Sequence, residues 1–284
     1  MNIEFLGTGG AMSIPRPLCT CKVCIEAREK GVPYSRTGPS IFLHGPDLLI
    51  DTPEDSYVQI NRSTIREING VLYSHWHPDH VMGRRVVESI SADWRNHPPE
   101  NDPVDVFLPE QVHNDFDRFL GSGDHFNFFK EQGYATVHKL SDDENIQMSD
   151  TTIYPFRLAE SYVYGFLIEN DGRNVLIIMD ELNNWQPPEF MKNIDVAILP
   201  AGIFDVHPLT GEILVSPDHP VLKEEATFKE TVEVIEKLGA KEVYLTHIEE
   251  VNGLSHDTLK VVEEKYAEKG IRFTFAYDTQ IISI

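Results

Sequence analysis

Cysteine is scarce in this chain: its 284 residues hold three, all inside Cys19-Thr20-Cys21-Lys22-Val23-Cys24. An odd number at that spacing does not make a disulfide framework. It points to thiolate ligation of a structural zinc, with reduced, idle thiols as the other reading. Basic residues are also few, 24 against 46 acidic ones, for a formal charge of -22. Such a surface repels phosphate backbones and offers no patch for counterion release, so a large DNA or RNA substrate is not expected. No apolar run approaches the ~20 residues of a membrane span, and Met1-Asn2-Ile3-Glu4-Phe5-Leu6-Gly7 has neither a basic n-region nor a long apolar h-region. The expectation is a cytoplasmic protein without membrane contact. No linker, low-complexity tract or short repeat interrupts the chain. With 41% hydrophobic residues, one domain over 1–284 is expected, carrying a Cys-rich insertion near 15–33.

Histidine and aspartate are concentrated where other signals are thin. Tyr73-Ser74-His75-Trp76-His77-Pro78-Asp79-His80 places three imidazoles and a carboxylate within six positions, directly after the apolar run Val71-Leu72-Tyr73. Neutral imidazole and carboxylate suit zinc, manganese and iron, and a strand end fixes ligands better than a free loop. His75 and His77 alternate onto one side of an extended segment. Asp79 and His80, beyond the turn at Pro78, can face a second ion.

The rest of the chain reads as strands with occasional helices. Ile3 to Leu6 is a strand leading into the tight turn Gly7-Thr8-Gly9-Gly10, and Ile41–Leu43 with Leu48–Ile50 form a hairpin that ends on Asp51. Asp51 is placed either to orient a metal-bound histidine or to cap the turn before Thr52-Pro53. A helix over Val81–Ile90, a loop at 94–103 and a strand from Val104 follow. The phenylalanine-rich stretch 110–133 reads as core packing, with a flap over the site or a homodimer surface left open. Val175-Leu176-Ile177-Ile178-Met179 is a continuous apolar run, as in a strand buried on both faces, and it ends on Asp180. A charge at the end of a buried strand needs a cation or a donor network, and bridging two metals would satisfy it. Val196–Pro200 is another strand, Val221–Leu238 an amphipathic helix, and Glu242–Thr246 a strand ending on His247.

The spacing H-x-H-x-D-H resembles the signature of the metallo-β-lactamase superfamily, whose fold is a four-layer αββα sandwich with metals at the strand ends of one edge. Within it the chain is similar to the phosphoribosyl 1,2-cyclic phosphate phosphodiesterase group of phosphonate metabolism. The shared features are Leu6-Gly7-Thr8-Gly9-Gly10, C-x-C-x-x-C, Leu49-Ile50-Asp51, Met179-Asp180 and Leu245-Thr246-His247. A pyrroloquinoline quinone biosynthesis protein that shares the cysteine knob is the nearest alternative resemblance. The resemblance implies that His75, His77 and Asp180 hold one divalent ion and that Asp79, His80, His247 and Asp180 hold the other. Zinc or manganese is implied, with iron open for an oxygen-activating member, and a non-catalytic metal-binding member is a further alternative.

Three departures from that family stand out. Glu160 replaces a histidine ligand ahead of Tyr164-Gly165-Phe166, and Glu250 replaces the histidine that completes the site of Cys19, Cys21 and Cys24. The histidine implied as general acid is His219 if residues are inserted after it, whereas Glu225 falls at the ungapped position. The implied reaction is hydrolysis of a small, phosphorylated substrate, a linear or cyclic phosphodiester, by water activated between two cations, with Asp79 and His219 as catalytic residues.

Overall fold

Alternate residues of the apolar run at 175–179 enter two different cores. Val175, Ile177 and Met179 pack with Phe5, Phe42 and Leu72, whereas Leu176 and Ile178 pack with Phe228, Val232 and Leu259. Val196 with Ile198, and Ala197 with Leu199, repeat the division in the neighbouring strand. A sheet built this way is covered on both faces, by a second sheet on one side and by helices on the other.

The computed structural model describes residues 1–96, 99–189 and 191–284 and, within these, every side chain but those of Ser122, Asp124 and Asn252. The first sheet is formed by β1 (Asn2–Gly7), β2 (Ser40–His44), β3 (Leu48–Ile50), β4 (Gly70–Leu72), β5 (Val104–Pro109) and β6 (Ala135–Leu140). The second is formed by β7 (Ile146–Met148), β8 (Thr151–Arg157), β9 (Tyr164–Asn170), β10 (Arg173–Ile177), β11 (Val196–Pro200), β12 (Glu242–Thr246) and β13 (Thr274–Phe275). A last strand, β14 (Ile281–Ser283), returns to the first sheet beside β1. Among the described residues each sheet has seven strands, in the orders β14-β1-β2-β3-β4-β5-β6 and β13-β12-β11-β10-β9-β8-β7. This is the expected four-layer αββα sandwich, with outer helices that include Val86–Ser91 and Ser122–Glu131 on one side and Phe228–Leu238 and His256–Ala267 on the other.

The topology brings the functional residues to one edge. Strands β3 to β6 run parallel, as do β10 to β13. The loops after β3, β4, β10 and β12 therefore carry Asp51, the 74–80 segment, Asp180 and His247 from carboxyl ends of strands, where open α/β sheets place their sites. Two backbone bonds tie the sheets together there: Tyr164 N–H donates to Ser74 O at 3.0 Å, and Ile248 N–H donates to Thr8 O at 3.0 Å.

Four expectations need revision. The helix expected over Val81–Ile90 is two short helices, Pro78–Val81 and Val86–Ser91. The single helix expected over Val221–Leu238 is broken into Val221–Glu224 and Phe228–Leu238, because Thr227 and Glu230 form a capping box that starts a new helix. Strand β7 was not anticipated. Of the phenylalanines, Phe116, Phe126 and Phe129 are core, but Phe119 is 47% exposed and stacks on Trp76 with ring centroids 4.4 Å apart. Within the expected loop at 94–103, residues 97 and 98 lie outside the described residues. Among those described, no helix is long and apolar enough to cross a membrane.

Candidate metal centre

Asp51 sits at the end of β3 with a positive φ of 59° and is fully buried. Its Oδ1 accepts from Ser74 N–H at 2.8 Å, and its Oδ2 accepts from Ser74 Oγ at 2.6 Å and from His80 Nδ1 at 2.7 Å. The carboxylate thus holds the start of the histidine segment against the strand and fixes the ring of His80. Of the two readings left open for Asp51, these contacts favour the orienting one over a turn cap.

The ligating atoms converge in two groups, each with its candidate atoms within 4.8 Å of one another. The first is His75, His77 and Asp180, and the second is Asp79, His80 and His247. Asp180 faces both. Its Oδ2 lies 3.5 Å from His75 Nε2, 4.0 Å from His77 Nδ1 and 3.8 Å from His80 Nε2, while its Oδ1 lies 3.5 Å from His247 Nε2. Asp79 Oδ2 is 3.3 Å from His80 Nε2 and 3.5 Å from His247 Nε2. Gly10 backs this arrangement. A Cβ there would run into the Glu249 carboxylate and come within 2.9 Å of His247 Nδ1, which gives the Gly-rich turn a packing reason to lack side chains.

The charge states follow from this crowding. Burial lowers the pKa of His75, and burial together with His75 pushes His77 down to about 4. Both imidazoles are therefore neutral and free to ligate. Burial opposes the charge on His80 and His247, but the flanking carboxylates win: Asp79 and Asp51 hold His80 well above the usual imidazole range, and Asp180 with Asp79 lifts His247 to about 10. Burial likewise opposes ionisation of Asp79 and Asp180, yet His80 and His247 hold the first, and His247 and His75 the second, well below the ordinary carboxylate range.

The fit to metal rests on stranded atoms. The Nε2 atoms of His75, His80 and His247 are buried without a hydrogen-bond partner, and each points at a carboxylate too distant for a good hydrogen bond. Stranded polar atoms of this kind each cost about 1–3 kcal/mol. A cation in each group would engage all three nitrogens and both aspartates, and the donor set of imidazole and carboxylate suits divalent zinc, manganese or iron.

The structure does not bring Glu160 or His219 into this constellation. Glu160 belongs to neither ligand group. It opens a tight turn between β8 and β9, closed by Val163 N–H donating to Glu160 O at 2.9 Å, and that turn presents Tyr162 instead, with its ring 5.6 Å from His77 and 6.5 Å from His75. His219 is exposed, and its Nδ1 accepts from Val221 N–H at 3.1 Å at the start of the short helix Val221–Glu224.

Glu225, which falls at the ungapped position, lines the cavity beside the ligand groups, and His219 does not. The chain at Glu225 is extended, with φ -115° and ψ 141°, and it lines a cavity of about 240 Å³ with His77, Asp79, Asp180 and His247. Glu181 and Glu249 line it too, and no motif in the sequence marks either. Burial, then the charge of Asp180, pushes Glu225 up to about 7; burial, then Glu225, pushes Glu181 up to about 8.

The cysteines form a third group, with Glu250. Glu250 Oε1 lies 3.1 Å from Cys19 Sγ and 2.9 Å from Cys21 Sγ, and Arg16 N–H donates to Cys24 Sγ at 3.2 Å. Arg16 Nη1 stands 3.6 Å from Glu250 Oε2, a positive charge beside an acidic set. Burial and Glu250 push the Cys21 thiol up to about 12. A soft cation among the sulfurs would reverse that shift, since coordination deprotonates thiols.

Over 157 residues the chain is 28% identical to ribonuclease Z of Methanococcus aeolicus, a match that covers 54% of this chain and 41% of that protein. A 23% match to ribonuclease Z of Pyrococcus horikoshii covers 56% and 44%. The chain thus spans less than half the length of these curated relatives. Its fold is similar to that of a diphosphatase from the PhnP family, with a TM-score of 0.69 at 23% identity over 99% of this chain and 96% of that one. It is also similar to Zn(2+)-bound PqqB from Methylobacterium extorquens, with a TM-score of 0.71 at 16% identity over the full length of both. The profile of the beta-lactamase superfamily domain matches residues 45–248, which include the 74–80 segment, Asp180 and His247, and the chain belongs to that superfamily.

Proposed function

We propose that this protein is a metal-dependent hydrolase of small phosphodiesters that works with two divalent ions, zinc or manganese. The observation that carries the reading is Asp180, whose two oxygens face two separate groups of imidazoles, at 3.5 Å from His75 and 3.5 Å from His247. His75, His77 and Asp180 would hold one ion, and Asp79, His80, His247 and Asp180 the other. When bound, two such cations supply a water activated near neutral pH and neutralise charge on the phosphoryl oxygens. Asp51 keeps the Nδ1 proton on His80, so that Nε2 presents its lone pair. Asp79 stays ionised between His80 and His247, with Oδ2 3.3 Å and 3.5 Å from their Nε2 atoms, and would hold and orient the second ion.

Glu225 reaches the cavity from the break between two helices and can hold a proton near neutral pH. It is the group best placed to protonate a departing alkoxide. The similarity to ribonucleases Z supports phosphodiester chemistry, while the small, acid-lined cavity and the net charge of -22 favour a small substrate over RNA. A panel of cyclic and linear phosphodiesters, assayed with manganese, zinc and iron, tests the proposal. Turnover of at least one small diester with zinc or manganese supports it, and inactivity across the panel in fully metallated protein refutes it.

A further inference from the structure

The two ligand groups are unequal. With Asp180 facing both, the second offers four side chains, Asp79, His80, His247 and Asp180, whereas the first offers three, His75, His77 and Asp180. A divalent ion among imidazoles and carboxylates takes at least four donors, so the first group leaves a position for a further protein atom or for solvent. Glu160, the side chain expected there, belongs to neither group.

Tyr162 stands beside that position. Its ring centre lies 5.6 Å from that of His77 and 6.5 Å from that of His75. A phenol oxygen and an imidazole nitrogen that meet one ion at about 2 Å each, at a roughly tetrahedral angle, carry their ring centres about 6 Å apart. Both separations are close to that distance. The hydroxyl faces the cavity carboxylates: burial, then the charges of Glu181, Glu160, Asp180 and Glu225, pushes it up to about 12, and all of these but Glu160 line the cavity. Among the described residues it has no hydrogen-bond partner. The backbone around it is fixed on both sides. Leu158 N–H donates to Val163 O and Val163 N–H to Glu160 O, each at 2.9 Å, while Arg157 Nη1 donates to Ser161 O at 2.7 Å. Tyr164 N–H, donating to Ser74 O at 3.0 Å, then joins the turn to the histidine segment, so the ring is held in register with His75 and His77.

We infer that Tyr162, on the two-ion reading above, is a ligand of the ion held by His75, His77 and Asp180, through its phenolate oxygen. On binding, the phenol O–H bond breaks and its proton goes to solvent, while the oxygen donates an electron pair to the ion and no oxidation state changes. The two groups then match. Each ion has two imidazoles, one anionic oxygen of its own, from Tyr162 or from Asp79, and a share of Asp180.

Resonance Raman spectroscopy of the full chain, loaded with iron(II) and oxidised in air to iron(III), tests this. Excitation into the visible charge-transfer band should bring out tyrosinate ring modes, which thiolate ligands at the cysteines do not produce. Tyr162→Phe should abolish those modes and weaken binding of the first ion by about tenfold or more in chelator competition, with the second ion within about twofold of wild type. Absence of tyrosinate modes from iron-loaded wild type overturns the inference and depends on no variant; their survival in Tyr162→Phe overturns it equally. Turnover of bis-p-nitrophenyl phosphate by zinc- or manganese-loaded wild type separates this claim from the hydrolase reading. Turnover without tyrosinate modes in the iron form rejects the Tyr162 ligand alone, tyrosinate modes without turnover of any phosphodiester reject the hydrolase reading alone, and failure to bind any of the three metals rejects both.

Discussion

His80 donates its Nδ1 proton to Asp51 Oδ2 across 2.7 Å, with both side chains fully buried. A carboxylate can only accept, so the bond fixes the ring's tautomer and turns Nε2 toward Asp79 and Asp180. Asn at position 51 could donate as well as accept and would no longer dictate that choice. Asp51→Asn should weaken metal binding at the group of Asp79, His80 and His247 by about 10–100-fold, measured by chelator competition, with a smaller effect at the other group. Equal affinity in the variant would mean that Asp51 serves only the turn.

Glu160→Ala should leave the metal content unchanged. The resemblance implies a ligand at that position, but the turn that carries Glu160 presents Tyr162 to the histidines, and Glu160 joins neither ligand group. Elemental analysis of wild type and variant decides the matter. Loss of one equivalent in the variant would restore Glu160 as a ligand.

Glu225→Gln should lower kcat for a diester with a poor leaving group by about 10²-fold or more, the usual contribution of a general acid. The loss should be far smaller for a p-nitrophenolate leaving group, which needs little protonation. His219→Ala should stay within about threefold of wild type on both, because His219 is exposed and engaged with Val221 N–H. The reverse pattern would reinstate His219.

Much of this was legible in the sequence because ligands at the ends of buried strands leave a strong local mark. The apolar run 175–179 announces both its burial and the charge that ends it, and few roles besides metal ligation suit three histidines and an aspartate inside six residues. Glu225 was harder to read. The apolar spacing of Val221–Leu238 continues across it as one helix, and only Thr227 with Glu230, a capping pair inside that span, signals that a new helix begins. Glu181 and Glu249 stay hidden for a different reason. Each is an ordinary acidic residue one or two positions past a ligand, and its place in the cavity depends on how three loops meet.

Removal of the metals should make stability depend on protons. His247 is raised from 6.5 to about 10 and Glu181 from 4.5 to about 8. In both, the folded chain binds the proton more tightly than the unfolded chain. The stabilisation is therefore complete below the unfolded pKa and is lost as the pH climbs through the folded one. The Tm of chelated protein should fall between about pH 6.5 and 10, whereas metal-loaded protein, whose ligands have already given up their protons, should change less over that range. A chelated Tm that rises with pH there would contradict these charge states.

Cys21→Ser should release one zinc equivalent and lower the Tm while leaving the two other ions in place. The sulfurs and Glu250 form a group of their own, and the Lys22–Lys30 helix otherwise packs on the small cluster of Ile14, Val23 and Ala27. Unchanged zinc content and Tm would remove the structural site from the account.

The central claim is that Asp180 serves two ions at once, and titration of metal-depleted Cys21→Ser protein with manganese tests it most directly, with bound metal and diester turnover followed together. Two equivalents should bind per chain, and turnover should reach its maximum only with the second. Saturation of both binding and turnover at one equivalent would contradict the dinuclear site.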